Sequence, residues 1–191
     1  MGVVVAVLAG AAVAARIALS QSSSSRPGHA RAPGARASTS PPTHSSQASG
    51  ENLVAAASLP ELKRLSGSLG YPIYWAGPQE GTTYELTVAP DGRVYLRYLV
   101  AGAKLRTPRS DFLTIGTYPV ADPTTDLRQA ARGPRSVVLK LPHGAIGYYD
   151  RARPTSVYFA NPGAHEEVET YDPSATVARA LVESTAVKPV H

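Results

Sequence analysis

A sharp change in composition near Ser58 predicts that independent folding is confined to residues 58–191. Gly2 to Ala15 is an unbroken apolar or small run, followed by Arg16 and Ile17–Leu19. Gln21 to about Ala57 is rich in Ser, Pro, Thr, Ala and Arg and poor in large apolar side chains. Such a tract cannot bury enough surface to offset chain ordering, so residues 21–57 are expected to form a disordered linker. Pro41-Pro42 and the scattered prolines favour an extended spacer. The remaining 134 residues are enough for one domain with a real core.

As a helix, residues 2–19 would rise about 27 Å, close to the roughly 30 Å hydrocarbon thickness of a bilayer. The valines, leucines and isoleucine of this run contribute about −2 to −5 kcal/mol on the insertion scale. Arg16 opposes them by less than the ~3 kcal/mol of a mid-bilayer cation, because it lies near the end and can snorkel. Residues 1–20 are therefore expected to be a retained signal-anchor, with the folded part outside the cytoplasm. A cleaved signal peptide is the alternative, since Ala12-Val13-Ala14 and Ala18-Leu19-Ser20 both have the small-x-small pattern. A third reading is a soluble chain with an apolar tail. The arginines lie after the run and no basic residues precede it, an arrangement that opposes export unless translation starts upstream.

Composition excludes several functions. Cysteine is absent, so disulfides and thiolate metal sites do not arise. The net charge of +5 lies largely on the stalk, where Arg16, Arg26, Arg31 and Arg36 face only Glu51. The folded part is nearly balanced, which argues against nucleic acid as a partner.

Within that part, Ser58-Leu59-Pro60-Glu61 reads as a capping box opening a helix that Gly67 and Gly70 end. Asp122-Pro123 opens a second helix to about Arg132, with Gly133 as its C′ residue. Asp172-Pro173 opens a third, with Ala175, Ala178, Leu181 and Val182 as its apolar stripe. Pro90-Asp91-Gly92 suits a three-residue hairpin loop, which sets Val88 opposite Val94, Leu86 opposite Leu96 and Tyr84 opposite Tyr98. The other face then carries Glu85 against Arg97. A two-residue loop would mix the faces, so the longer loop is expected. Pro142-His143-Gly144 and Asn161-Pro162-Gly163 repeat the pattern between Ser136–Leu141, Ala145–Asp150, Thr155–Ala160 and His165–Tyr171. Further strands are expected at Tyr71–Ala76 and Phe112–Tyr118. The fold class is α+β: a mainly antiparallel sheet built from hairpins, with two or three helices covering one side. A small half-open barrel is the architectural alternative.

Signatures of chemistry are weak. Leu65-Ser66-Gly67-Ser68-Leu69-Gly70 lacks the G-x-S-x-G spacing of a nucleophile elbow, and Gly102-Ala103-Lys104 lacks the spacing of a phosphate loop. No cofactor is expected. His165, Glu167 and Glu169 alternate on one strand face, but such a row spans nearly 14 Å and converges poorly on a metal. It reads as a solvated acidic face, and neither metal ligands nor catalytic residues are assigned. His143 and Asp150 fall at opposite ends of one hairpin, too far apart for a general-base dyad. Tyr71, Tyr74, Trp75, Tyr84, Tyr95 and Tyr98 lie near Arg93 and Arg97 in the chain. Tyr74, Trp75, Tyr95, Arg93 and Arg97 are the candidate binding residues, through stacking and hydrogen bonding to a sugar or peptide. The competing and favoured reading places Trp75, Tyr84 and Tyr98 in the core. Lys104, Arg106 and Arg109 form a basic loop, either solvated or facing anionic head groups.

The segments Tyr74-Trp75-Ala76-Gly77-Pro78, Thr83-Tyr84-Glu85-Leu86, Arg93-Val94-Tyr95-Leu96-Arg97-Tyr98-Leu99 and Gly116-Thr117-Tyr118-Pro119 resemble uncharacterised membrane-anchored envelope proteins of GC-rich bacteria. The resemblance continues through Ser156-Val157-Tyr158 and Val168-Glu169-Thr170-Tyr171-Asp172-Pro173. It implies an anchored, exported domain with no assigned reaction. The expected function is a non-enzymatic, membrane-tethered module that binds an envelope protein or glycan. A cell-envelope hydrolase is the alternative, and the oligomeric state is left open.

Overall fold

The computed structural model describes residues 53–190. The anchor expected at residues 1–20 and residues 21–52 of the expected linker lie outside them. Among the described residues no helix is long and apolar enough to cross a membrane.

The folded unit begins earlier than Ser58. Leu53–Ala57 forms strand β1, paired antiparallel with β3 (Thr83–Val88), so the last five residues assigned to the linker belong to the sheet. Their alanines have little strand preference of their own; the neighbouring strand supplies the hydrogen-bonding partner. Helix α1 (Leu59–Leu69) follows at once. Glu61 reaches back to accept from the Ser58 N–H at 2.6 Å, and Gly70 closes the helix in the left-handed region at φ 76°.

The remaining elements are β2 (Tyr74–Trp75), β4 (Val94–Leu99), β5 (Thr114–Pro119), α2 (Pro123–Ala130), β6 (Ser136–Lys140), β7 (Ile146–Asp150), β8 (Arg153–Ala160), β9 (Glu166–Tyr171), α3 (Ala175–Glu183) and β10 (Lys188–Pro189). Eight strands form one antiparallel sheet in the order β1-β3-β4-β5-β9-β8-β7-β6. It is open, with β1 and β6 at its edges, and not the half-open barrel. The hairpin β3–β4 has the expected register: Tyr84 pairs with Tyr98, Leu86 with Leu96 and Val88 with Val94. Gly92, at φ 86°, supplies the left-handed residue of its loop. The expected strand at Tyr71–Ala76 shrinks to β2, which pairs with β10 rather than with the main sheet. The second helix ends at Ala130 with Ala131 as its cap, and Gly133 is not its left-handed cap. Ser174, not Asp172, caps α3.

One face of the sheet carries the core. Leu86, Val94, Leu96, Ile115, Val157, Phe159 and Val168 pack there against Leu62 of α1, Ala178 and Val182 of α3, and the β2–β10 ribbon. The other face was expected to be free of helices. Instead α2 lies on it, against β7, β8 and β9, with Leu127 1% exposed and outside the main core. The reason is that this face is only partly polar. Leu99 and Phe112 are buried outside the main core, and Glu85 is 2% exposed. The segment 100–111 folds over this end of the face: the Arg106 N–H donates to Glu85, and Arg97 donates to the Thr107 and Arg109 carbonyls.

Candidate functional site

On the face opposite the core, segment 100–111 covers the Glu85 and Arg97 end. Helix α2 crosses β9, β8 and β7, starting beside His165 and ending beside Ser136, whose hydroxyl donates to the Ala130 carbonyl at 2.7 Å. Tyr95, Glu169, Tyr158 and Tyr148 on this face are half-exposed. Strand register aligns one residue from each strand into a single row. It runs Val54, Thr87, Tyr95, Gly116, Glu169, Tyr158, Tyr148 and Val138 across all eight strands. Residues directly opposite in a sheet stand about 5 Å apart, so such a row is a continuous surface of side chains.

The centre of the row depends on Gly116. Tyr118, two residues along β5, lays its ring back over Gly116, where an added Cβ would stand 2.6 Å from the Tyr118 oxygen. The space left by the missing side chain lets the phenol reach Glu169, the register partner of Gly116. Glu169 accepts from the Tyr118 hydroxyl through Oε2 and from the Tyr158 hydroxyl through Oε1 at 3.1 Å. Tyr95 meets Tyr118 edge to face, with centroids 5.8 Å apart. Tyr148 stacks on Tyr158 at 5.5 Å and 23°. A carboxylate clamped by two phenols therefore sits among four aromatic rings.

Burial, reinforced by the Glu169 charge, pushes the Tyr118 and Tyr158 phenols well above their ordinary range, so both remain hydrogen donors. Glu167 is register partner to Tyr118. Burial pushes its carboxyl up to about 7, and the nearby Glu169 and Asp126 charges act in the same direction. The expectation of a solvated acidic face is therefore corrected. Glu167 and Glu169 are half-buried, Glu166 is buried on the core side, and His165 precedes the strand, with Nδ1 3.4 Å from the Ala121 carbonyl.

The candidate binding residues divide between the two faces. Tyr74 and Trp75 are 3% and 7% exposed and lie in the core. Tyr74 packs edge to face on Phe159, and its hydroxyl accepts from Asn161 at 3.1 Å. Trp75 packs edge to face on Tyr84. Tyr95, Arg93 and Arg97 lie across the sheet from them, so the five do not form one surface. Arg97 is committed to structure: it pairs with buried Glu85, holds the carbonyls of segment 100–111 and lies over the Phe112 ring. Arg109 lies over the same ring and pairs with Asp111, so the basic loop is partly neutralised and folded down. Arg93 contacts Asp91, with Nε 2.7 Å from Oδ2. Of the five, only Tyr95 belongs to the row. Sequence reading missed Tyr118, Tyr148 and Tyr158, whose available signal was tyrosine on the non-core face of alternating strands.

Two depressions, of about 150 and 290 Å³, lie elsewhere, the first beside His143 and Lys188 and the second beside Asp111 and Phe112. The first falls below the roughly 300–1,000 Å³ usual for small-molecule pockets, and the second is at the lower edge of that range. Among the described residues no group of three or more His, Asp or Glu side chains could hold a metal. Comparison with known protein families, curated proteins and solved structures gave no match.

Proposed function

We propose that this chain is a membrane-tethered, extracytoplasmic, non-enzymatic module that binds an envelope glycan or protein along the tyrosine row. The supporting observation is the arrangement of Tyr95, Tyr118, Glu169, Tyr158 and Tyr148 side by side and half-exposed on the face opposite the core. Aromatic rings present flat apolar area at low entropic cost, and their hydroxyls together with the fixed carboxylate add directional hydrogen bonds. An extended ligand fits a shallow strip better than a compact one does. The stalk composition and the apolar run at residues 1–20 support tethering at a membrane.

A hydrolase is the second reading, favoured by one feature: Glu167, with its carboxyl near 7, stands two residues from Glu169 on the same face. An acid and a base held side by side are the minimum for general acid–base hydrolysis. Co-sedimentation of the full chain with isolated cell walls tests both. Binding predicts retention that Tyr148→Ala and Tyr158→Ala each reduce, assayed at a temperature where circular dichroism shows each variant still folded. Retention unaffected by either variant refutes the row as the binding surface. Release of soluble fragments, abolished by Glu167→Gln, would establish the hydrolase instead.

A further inference from the structure

The sheet ends at β6, and the direction of its backbone groups follows from one hydrogen bond. The Arg135 carbonyl accepts from the Arg151 N–H at 3.0 Å. In an antiparallel ladder bonding alternates residue by residue, so Val137 and Leu139 also address β7. Ser136, Val138 and Lys140 then turn their backbone groups away from the sheet. The Ser136 N–H is taken by the Gly133 carbonyl at 3.0 Å, while the groups of Val138 and Lys140 face outward. Among the described residues no strand pairs with that side. Natural edges are usually blunted by a proline, a bulge or an inward-pointing charge. The β6–β7 register runs without a shift, β6 contains no proline, and its single charge, Lys140, is at its end. Val138, at its centre, is 60% exposed.

The sequence of this edge is complementary to itself. Antiparallel pairing of Ser136-Val137-Val138-Leu139-Lys140 with a second copy, centred on Val138, sets Val137 against the partner's Leu139 on the core side. It sets Lys140 against the partner's Ser136, with no like charges opposed. Val138 meets the partner's Val138 on the two-fold axis as a hydrogen-bonded pair, each N–H donating to the other's carbonyl. At Ser136 the Gly133 carbonyl already fills the outward bonding position, so regular pairing ends there and the two Val138 hydrogen bonds carry the ladder. A two-fold pairing closes on itself, whereas β6 joined to the opposite edge β1 would propagate without end.

We infer that β6 is a homodimer interface that joins two sheets edge to edge through Val138, with a second copy of this chain as the occupant. Because Val138 is also the end of the tyrosine row, the dimer places the two Tyr148 residues three strand spacings apart, about 14 Å, on one continuous face. The inference stands on backbone register and does not require the binding reading.

The native chain has no cysteine, so a single introduced thiol reports pairing directly. Paired Val138 residues would stand about 5.5 Å apart at Cα, within the roughly 4.4–6.8 Å window of a disulfide. The two Lys140 positions, offset by four residues, would be about 14 Å apart. The full chain in detergent micelles should sediment as a dimer, and Val138→Cys should oxidise to a covalent dimer at least tenfold faster than Lys140→Cys. Val138→Pro should leave a folded monomer, because the N–H it removes bonds nothing within the protomer. A wild-type monomer at all concentrations overturns the inference. So does a dimer that survives Val138→Pro, or cross-linking by Ala55→Cys at the β1 edge in place of Val138→Cys. Should Val138→Pro fail to fold, the rate comparison between the two cysteine variants still decides.

Discussion

Replacing Gly116 by alanine puts a methyl group 2.6 Å from the Tyr118 oxygen and 2.8 Å from its Cζ, far inside van der Waals contact. Both atoms are at the tip of a side chain, so the ring swings away and the backbone stays in place. The loss is then the phenol–carboxylate hydrogen bond to Glu169, worth about 1.5–3 kcal/mol for a charged acceptor. Glu169 keeps Tyr158 and gains water, which places the loss near the lower bound. Alanine offsets about 0.5–1 kcal/mol of it, because glycine loses more backbone freedom in a strand. The net expectation is a destabilisation of about 1 kcal/mol, or roughly 3–5 °C in melting temperature for a domain of this size. Two assays separate this from generic damage. Spectrophotometric titration should show one more phenol ionising near its ordinary range, because burial and Glu169 no longer hold Tyr118 up. In a Tyr118→Ala background, Gly116→Ala should become neutral or stabilising. Unchanged phenol titration, or equal destabilisation in both backgrounds, would refute the claim that Gly116 exists to admit Tyr118.

Three further outcomes follow from the same packing. Arg97→Ala leaves Glu85 buried without its guanidinium and should cost about 3–5 kcal/mol in urea unfolding, whereas replacing both residues by apolar ones should cost less than either single change. Glu167 binds its proton more tightly folded, at about 7, than unfolded, at its ordinary value of 4.5. Its contribution is therefore complete below about pH 4.5 and lost as pH rises through 7, so Glu167→Gln should flatten the decline in unfolding free energy between pH 5 and 8 by at most about 3 kcal/mol, measured by urea unfolding at each pH. Glu166, also raised by burial, contributes in the same direction and remains in that variant. Trp75→Ala should cost about 3–5 kcal/mol by calorimetry and leave cell-wall retention unchanged in whatever fraction stays folded.

What the sequence revealed was local. The β3–β4 hairpin could be registered because Pro90-Asp91-Gly92 sets the loop and one-residue alternation separates the faces. β1 was hidden because Leu53–Ala57 continues the low-complexity tract in composition and becomes a strand only by pairing with β3. β2 shortened because its partner β10 lies beyond α3, with no turn to announce the pairing. The tyrosine row was out of reach for the same reason. Period-two spacing places Tyr95 and Arg97 on one face, but joining Tyr95 to Glu169, Tyr158 and Tyr148 requires the strand order β4-β5-β9-β8-β7. That order is a property of tertiary packing. Placing Tyr74 and Trp75 with Arg93 and Arg97 failed because proximity along the chain does not specify which side of the sheet a short ribbon occupies.

Hydroxyl-radical footprinting of the full chain, with and without isolated cell walls, is the most direct measurement of ligand engagement. If the row is the binding surface, Tyr148, Tyr158 and Tyr95 lose reactivity when the walls are added, while Tyr74 and Trp75 react weakly in both states. Protection that falls outside the row while its tyrosines keep their reactivity would contradict the account.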